Sequence, residues 1–102
     1  MTFPAAIFAC VLASMNASPS LPIPNWLPDT TRCQQWAYAS ERACYGLGTV
    51  YAPQDAPAFV LAHEAAHHVQ MLQGRVVVPI DAERRRSLEA EAVSVQIECG
   101  RV

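Results

Sequence analysis

Three features of the 102-residue sequence predict a mainly helical α+β fold. Residues 58–72 form an apolar segment long enough for one helix, and residues 82–99 carry a second helical stripe. Between them and the N-terminal third lies Thr49-Val50-Tyr51-Ala52, a β-branched and aromatic run bounded by glycine and proline, which reads as a strand. A hydrophobic content of 52% against 16% charged residues belongs to a chain that folds or is partly membrane-inserted, and excludes a disordered one. With a net charge of −2 and no basic stripe, nucleic acid is not an expected partner. No apolar stretch reaches the ~20 uninterrupted residues of a transmembrane helix.

Taken in order, the chain opens on Ala5-Ala6-Ile7-Phe8-Ala9-Cys10-Val11-Leu12-Ala13, a short apolar run followed by small and polar residues as far as Ala17. This resembles the apolar region and cleavage site of a secretory signal, although no Lys or Arg precedes it and Met15 stands two before Ala17. Residues 1–17 are therefore expected to be a signal peptide and the protein secreted or periplasmic; if the run is an ordinary buried segment, the protein is cytoplasmic. Removal of residues 1–17 would take Cys10 and leave Cys33, Cys44 and Cys99. In an oxidising compartment Cys33 and Cys44 could pair, with Cys99 free or joined to another chain; buried reduced thiols are the alternative.

Residues 18–31 hold Pro19, Pro22, Pro24 and Pro28, which cannot propagate a helix, and read as a linker or arm anchored by Trp26 and Leu27. The folded domain is expected over residues 32–102. Its first element is a short helix from Thr31 to about Cys44, with Thr30 or Thr31 as cap, packing on the helix that follows. Gly46-Leu47-Gly48 breaks it. The strand after that break has little else to pair with, so it is expected at a sheet edge, where an extended peptide could add to it, or within a small sheet of its own.

The long apolar segment contains His63-Glu64-Ala65-Ala66-His67. Asp55 is a candidate cap, Pro57 falls in the first turn and Gly74 stands where a helix stops. Residues four apart on a helix share a face, so His63 and His67 can hold one ion between them. Glu64, one residue on, can reach a water beside that ion, which is what a metal hydrolase requires. Two histidines and a glutamate within an apolar helix cost free energy unless they are paired or coordinated. His68 points away from the two histidines, as a surface or supporting residue. Arg75 to Ile80 is then a loop or short strand, Asp81 caps the second helix, Leu88, Ala92, Val95 and Cys99 form its apolar stripe, and Gly100 ends it.

H-E-x-x-H on one helix, followed by a second helix with E-x-x-A, resembles the gluzincin division of zinc metallopeptidases. The string from His63 to Gln70 is also similar to small bacterial proteins of that kind with H-E-x-x-H-H-x-Q. The likeness covers roughly residues 48–99 and is strongest at the pentad. It implies a minimal zincin-like core: an edge strand, the motif helix, and a second helix supplying a glutamate as third zinc ligand. Glu89 is favoured, because Ala92 is the small residue one turn later that lets the helices approach; Glu91, followed by Ala92 and Ser94, is the alternative. Relatives place an aspartate four residues after the ligand to orient a histidine, whereas Val93 and Val95 stand there in this chain.

The resemblance implies zinc-dependent hydrolysis of peptide bonds in peptides or proteins. His63, His67 and Glu89 would be the ligands, Glu64 the general base, and Tyr51 or His68 a donor to the oxyanion. A partner chain could supply part of the cleft. Two other classes stay open: a degenerate zincin that binds metal or a partner without turnover, and a structural helical domain in which the motif is accidental.

Overall fold

A computed structural model describes residues 1–35 and 43–101. The elements run α1 (Ala5–Ser14), β1 (Asn25–Leu27), a 3-10 helix (Thr31–Gln35), β2 (Cys44–Gly46), β3 (Thr49–Tyr51), α2 (Ala58–Leu72) and α3 (Ala82–Cys99). Helix α2 is central, in contact with α1, α3, β2 and β3. The α+β class and the two long helices agree with the sequence. Among the described residues, no helix is long and apolar enough to cross a membrane.

The sheet corrects one expectation. Its order is β1-β3-β2, so Thr49–Tyr51 is the middle strand rather than an edge. β1 pairs with it in parallel (Trp26 with Val50) and β2 antiparallel (Tyr45 with Val50), so neither side of β3 is open to a peptide. β1 escapes sequence reading because it is three residues long and bracketed by Pro24 and Pro28, which lack ladder donors and confine it to an edge. The Pro-rich segment thus contributes a strand, with Trp26 buried and its indole N–H donating to the Ala52 carbonyl at 2.9 Å. β2 and β3 are joined through Leu47 (φ 49°) and Gly48 (φ 88°), both in the left-handed region. Two such residues make the mirror-image turn that suits a twisted hairpin.

The helix expected from Thr31 to Cys44 begins as a 3-10 turn, and Cys44 belongs to β2; residues 36–42 of that span lie outside the described residues. A disulfide joins Cys33 to Cys44, the pairing the spacing allows. Cys99, expected free or joined to another chain, is bonded instead to Cys10.

That bond ties in α1, the segment expected as the apolar part of a signal. In the structure, Phe3, Ile7, Phe8, Val11 and Leu12 are buried in one core with Trp26, Val50, Leu61 and Val95. Ala62, Ala65, Ala66 and Ala92 are fully buried where the helices pack, side chains small enough to let backbones come close.

The helix ends are well defined. Asp55 does not cap α2; Pro57 occupies the cap position, and no side chain bonds there. At its C-terminus Gly74 (φ 72°) closes a Schellman motif, with its N–H donating to the Met71 carbonyl and that of Arg75 to the Gln70 carbonyl. Asp81 caps α3 as expected, accepting from the Arg84 N–H at 2.7 Å. Gly100 has ordinary helical φ, and its value lies in proximity: a Cβ there would sit 2.7 Å from the Phe59 Cβ.

Candidate metal centre

Positions 63, 67 and 71 recur every four residues, so they form one stripe of α2, and between Leu61 and Met71 they are the side chains that are half-buried rather than buried. His63 and His67 lie on this stripe with ring centroids 5.0 Å apart. Glu64, about 100° further round, is buried at 4% exposure. One ligand atom each of His63, Glu64 and His67 can be chosen so that all lie within 4.8 Å of one another.

α3 brings Glu89 to both rings. Its Oε2 is 3.2 Å from His63 Nε2 and its Oε1 is 2.8 Å from His67 Nε2. Glu91 faces elsewhere, paired with Arg75 at 2.7 Å and accepting from Gln70 Nε2 at 2.9 Å. Of the two glutamates named from the sequence, Glu89 alone meets the histidines. Ala92, one turn later, is fully buried between the helices.

The far nitrogens of the two rings are held by amides. His63 Nδ1 lies 2.9 Å from Gln96 Oε1, and His67 Nδ1 lies 2.9 Å from Gln70 Oε1. The orientation of Gln70 follows from its other partners. The Leu88 carbonyl and the Glu91 carboxylate, each 2.9 Å away, both accept, so the NH2 must face them and the oxygen must face His67. Nδ1 of His67 therefore carries a proton. In the neutral ring Nε2 is then a lone pair aimed at a carboxylate oxygen, and two acceptors 2.8 Å apart require a cation or a proton between them.

In the metal-free chain a proton fills that role. Burial opposes the charged form of His67, yet the hydrogen bond to Glu89 and the charges of Glu64 and Glu89 prevail and raise its pKa. Glu89 is lowered by its hydrogen bond from His67, against the opposing effect of burial, with the charges of both histidines adding. A divalent metal ion would satisfy the same lone pairs and carboxylate, and zinc is among the ions that accept two imidazoles and one carboxylate.

Of the two places expected for His68, the surface one falls away and the supporting one stands. His68 is buried at 4% exposure, not on the surface. Its Nε2 donates to the Pro22 carbonyl at 2.8 Å, so Nδ1 accepts from the Tyr45 hydroxyl at 2.7 Å. Burial lowers its pKa, in keeping with a neutral ring. His68 thus fastens the Pro-rich segment and the hairpin to α2. Tyr51 packs with Cys33 and Cys44, beneath the Arg32 guanidinium. Neither His68 nor Tyr51 lines the cavity beside Glu64, His67 and Glu89, whereas Tyr45 and Arg85 do. That cavity has a volume of about 550 Å³.

Gln70, Gln96 and Tyr45 are thus parts of the site's surroundings that the sequence reading left without a role. Gln70 had a signal: it stands three residues after His67 and so faces it across one helical turn. Gln96 and Tyr45 had none, because their partners lie 33 and 23 residues away. The chain matches no protein-family model, no curated protein and no solved structure.

Proposed function

We propose that the chain is a zinc-dependent peptidase in which His63, His67 and Glu89 hold the metal and Glu64 is the general base. The observation that carries this reading is the meeting of two imidazole Nε2 atoms on one carboxylate, at 3.2 and 2.8 Å, beside a buried glutamate. Structural histidines need partners too, but they do not need two rings and a carboxylate sharing one point with a second carboxylate alongside. Gln70 and Gln96 each set an oxygen against a ligand histidine's Nδ1, the place that zincins of the resembled kind fill with an aspartate and that Val93 and Val95 cannot, which supports the reading.

Bound there, zinc would polarise a peptide carbonyl and bring the pKa of an adjacent water toward about 7. Glu64 takes the proton of the attacking water on its carboxylate and returns it to the departing amine. Gln70 keeps the His67 ring in the tautomer whose Nε2 lone pair faces the site. The two disulfides favour an oxidising compartment.

A metal-binding domain without turnover is the second reading, favoured by the absence of Tyr51 and His68 from the cavity wall. Zinc content and peptide hydrolysis separate the two. On the peptidase reading the wild type carries near one zinc per chain, His67→Ala little, and Glu64→Gln keeps zinc but loses hydrolysis. Zinc without hydrolysis in the wild type favours the second reading. No zinc after refolding with metal present would sink both and leave a structural domain with an accidental motif.

A further inference from the structure

Leu47 stands at a position that ordinarily goes to asparagine, aspartate or glycine. It is the first central residue of the β2–β3 turn, at φ 49°, where a branched apolar side chain is strained. It is also 95% exposed, so packing within the chain does not repay that strain. Val78, in the loop between α2 and α3, is 86% exposed. Both residues line the same cavity as Glu64, His67 and Glu89, together with Met71, Val76 and Ile80. Two segments far apart in sequence thus present apolar tips at one opening beside the candidate metal centre.

We infer that this cavity receives a bulky apolar side chain of a polypeptide, gripped between Leu47 and Val78, next to the bond to be cut. The choice of a polypeptide rests on the peptidase reading; the apolar character rests on the walls alone. About 550 Å³ accommodates a leucine, methionine or phenylalanine side chain with its flanking backbone. Such a residue covers apolar surface that the chain leaves in water. A lysine would leave its hydration shell for aliphatic walls. Arg85 is also on the wall, which makes an acidic residue the competing occupant.

The test uses capped peptides Gly-Gly-Xaa-Gly-Gly with Xaa as Leu, Lys or Asp, titrated by NMR onto zinc-loaded Glu64→Gln protein and onto the metal-free wild type. The leucine peptide is expected to bind at least about tenfold more tightly than the other two. Leu47→Asp and Val78→Asp should each remove most of that advantage while zinc content stays unchanged and the melting temperature does not fall. Both sites are exposed, and aspartate tolerates the turn's positive φ better than leucine, so loss of fold does not account for the effect. Equal binding of all three peptides, preferred binding of the aspartate peptide, or an unchanged leucine preference in both variants would overturn the inference. A leucine preference in a protein that takes up no zinc upholds the pocket and removes the peptidase reading; zinc uptake without any preference does the reverse.

Discussion

Gln70→Leu removes the group that orients His67 while leaving the shape of the core nearly unchanged. Gln70 is fully buried and bonds three partners: His67 Nδ1, the Leu88 carbonyl and Glu91. Glu91 keeps Arg75 and the Leu88 carbonyl, inside α3, keeps its own helical hydrogen bond, so one group, His67 Nδ1, is left without a partner. At about 1–3 kcal/mol for a buried group left unsatisfied, the folded metal-free protein should lose about 1–3 kcal/mol, less whatever the added apolar contact returns. Zinc binding should weaken about 10–100-fold, the usual effect of removing the partner of a ligating histidine. Urea unfolding of the metal-free protein reads the first quantity and competition with a chromophoric chelator the second. Gln70→Glu separates them: it keeps an acceptor for Nδ1 but sets a carboxylate against the Leu88 carbonyl and Glu91, so its stability should suffer while more of its zinc affinity survives. A leucine variant that binds zinc within about threefold of the wild type would refute the reasoning.

Glu89→Ala should abolish zinc binding, whereas Glu91→Ala should keep it and cost about 1 kcal/mol for a partly exposed ion pair, both read by metal analysis and urea unfolding. The His67–Glu89 pair should stabilise the metal-free protein most between about pH 4.5 and 6.5, read as the difference between wild type and Glu89→Gln, because the lowered His68 acts in the opposite sense below 6.5 in both proteins. The raised His67 contributes fully below 6.5 and is lost as pH rises through its folded pKa; the lowered Glu89 contributes fully above 4.5 and is lost as pH falls through its own. A difference in denaturation midpoint between these two proteins that rises steadily across that window would contradict this. Reducing Cys10–Cys99, which spans 89 residues, should cost about 4–5 kcal/mol on the chain-entropy account, against about 3 for the 11-residue Cys33–Cys44 loop; comparison of Cys10→Ser with Cys33→Ser in urea tests the order.

The motif helix was legible because its chemistry and its geometry share a period. His63 and His67 are four apart, a helix turns every 3.6 residues, and the apolar neighbours bury the remaining faces. Glu89 is favoured over Glu91 through the E-x-x-A pattern of the resemblance, with Ala92 as the small residue, and α3 brings Glu89 rather than Glu91 to the two histidines. Less was legible wherever a residue's role depends on a partner far along the chain. Three residues between two prolines carry no periodicity, so β1 became visible only when β3 was found beside it. His68 lies next to His67 yet faces the opposite side, and only the contacts with Pro22 and Tyr45 explain a histidine there.

The N-terminal segment marks the limit most sharply. An export signal and a buried helix ask the same of a sequence, a short run of apolar side chains, and Ala5–Ser14 meets both demands. What differs is the partner, a translocation machinery in one case and the rest of the chain in the other. In the structure that partner is the rest of the chain: Phe8 packs on the His68 ring, and Cys10 is bonded to Cys99 at the end of α3. Through His68, α1 also lies one residue from a proposed zinc ligand, and through Cys99 it fixes the helix that carries Glu89. Loosening α1 would therefore shift both walls of the candidate metal centre, although no residue of α1 touches it.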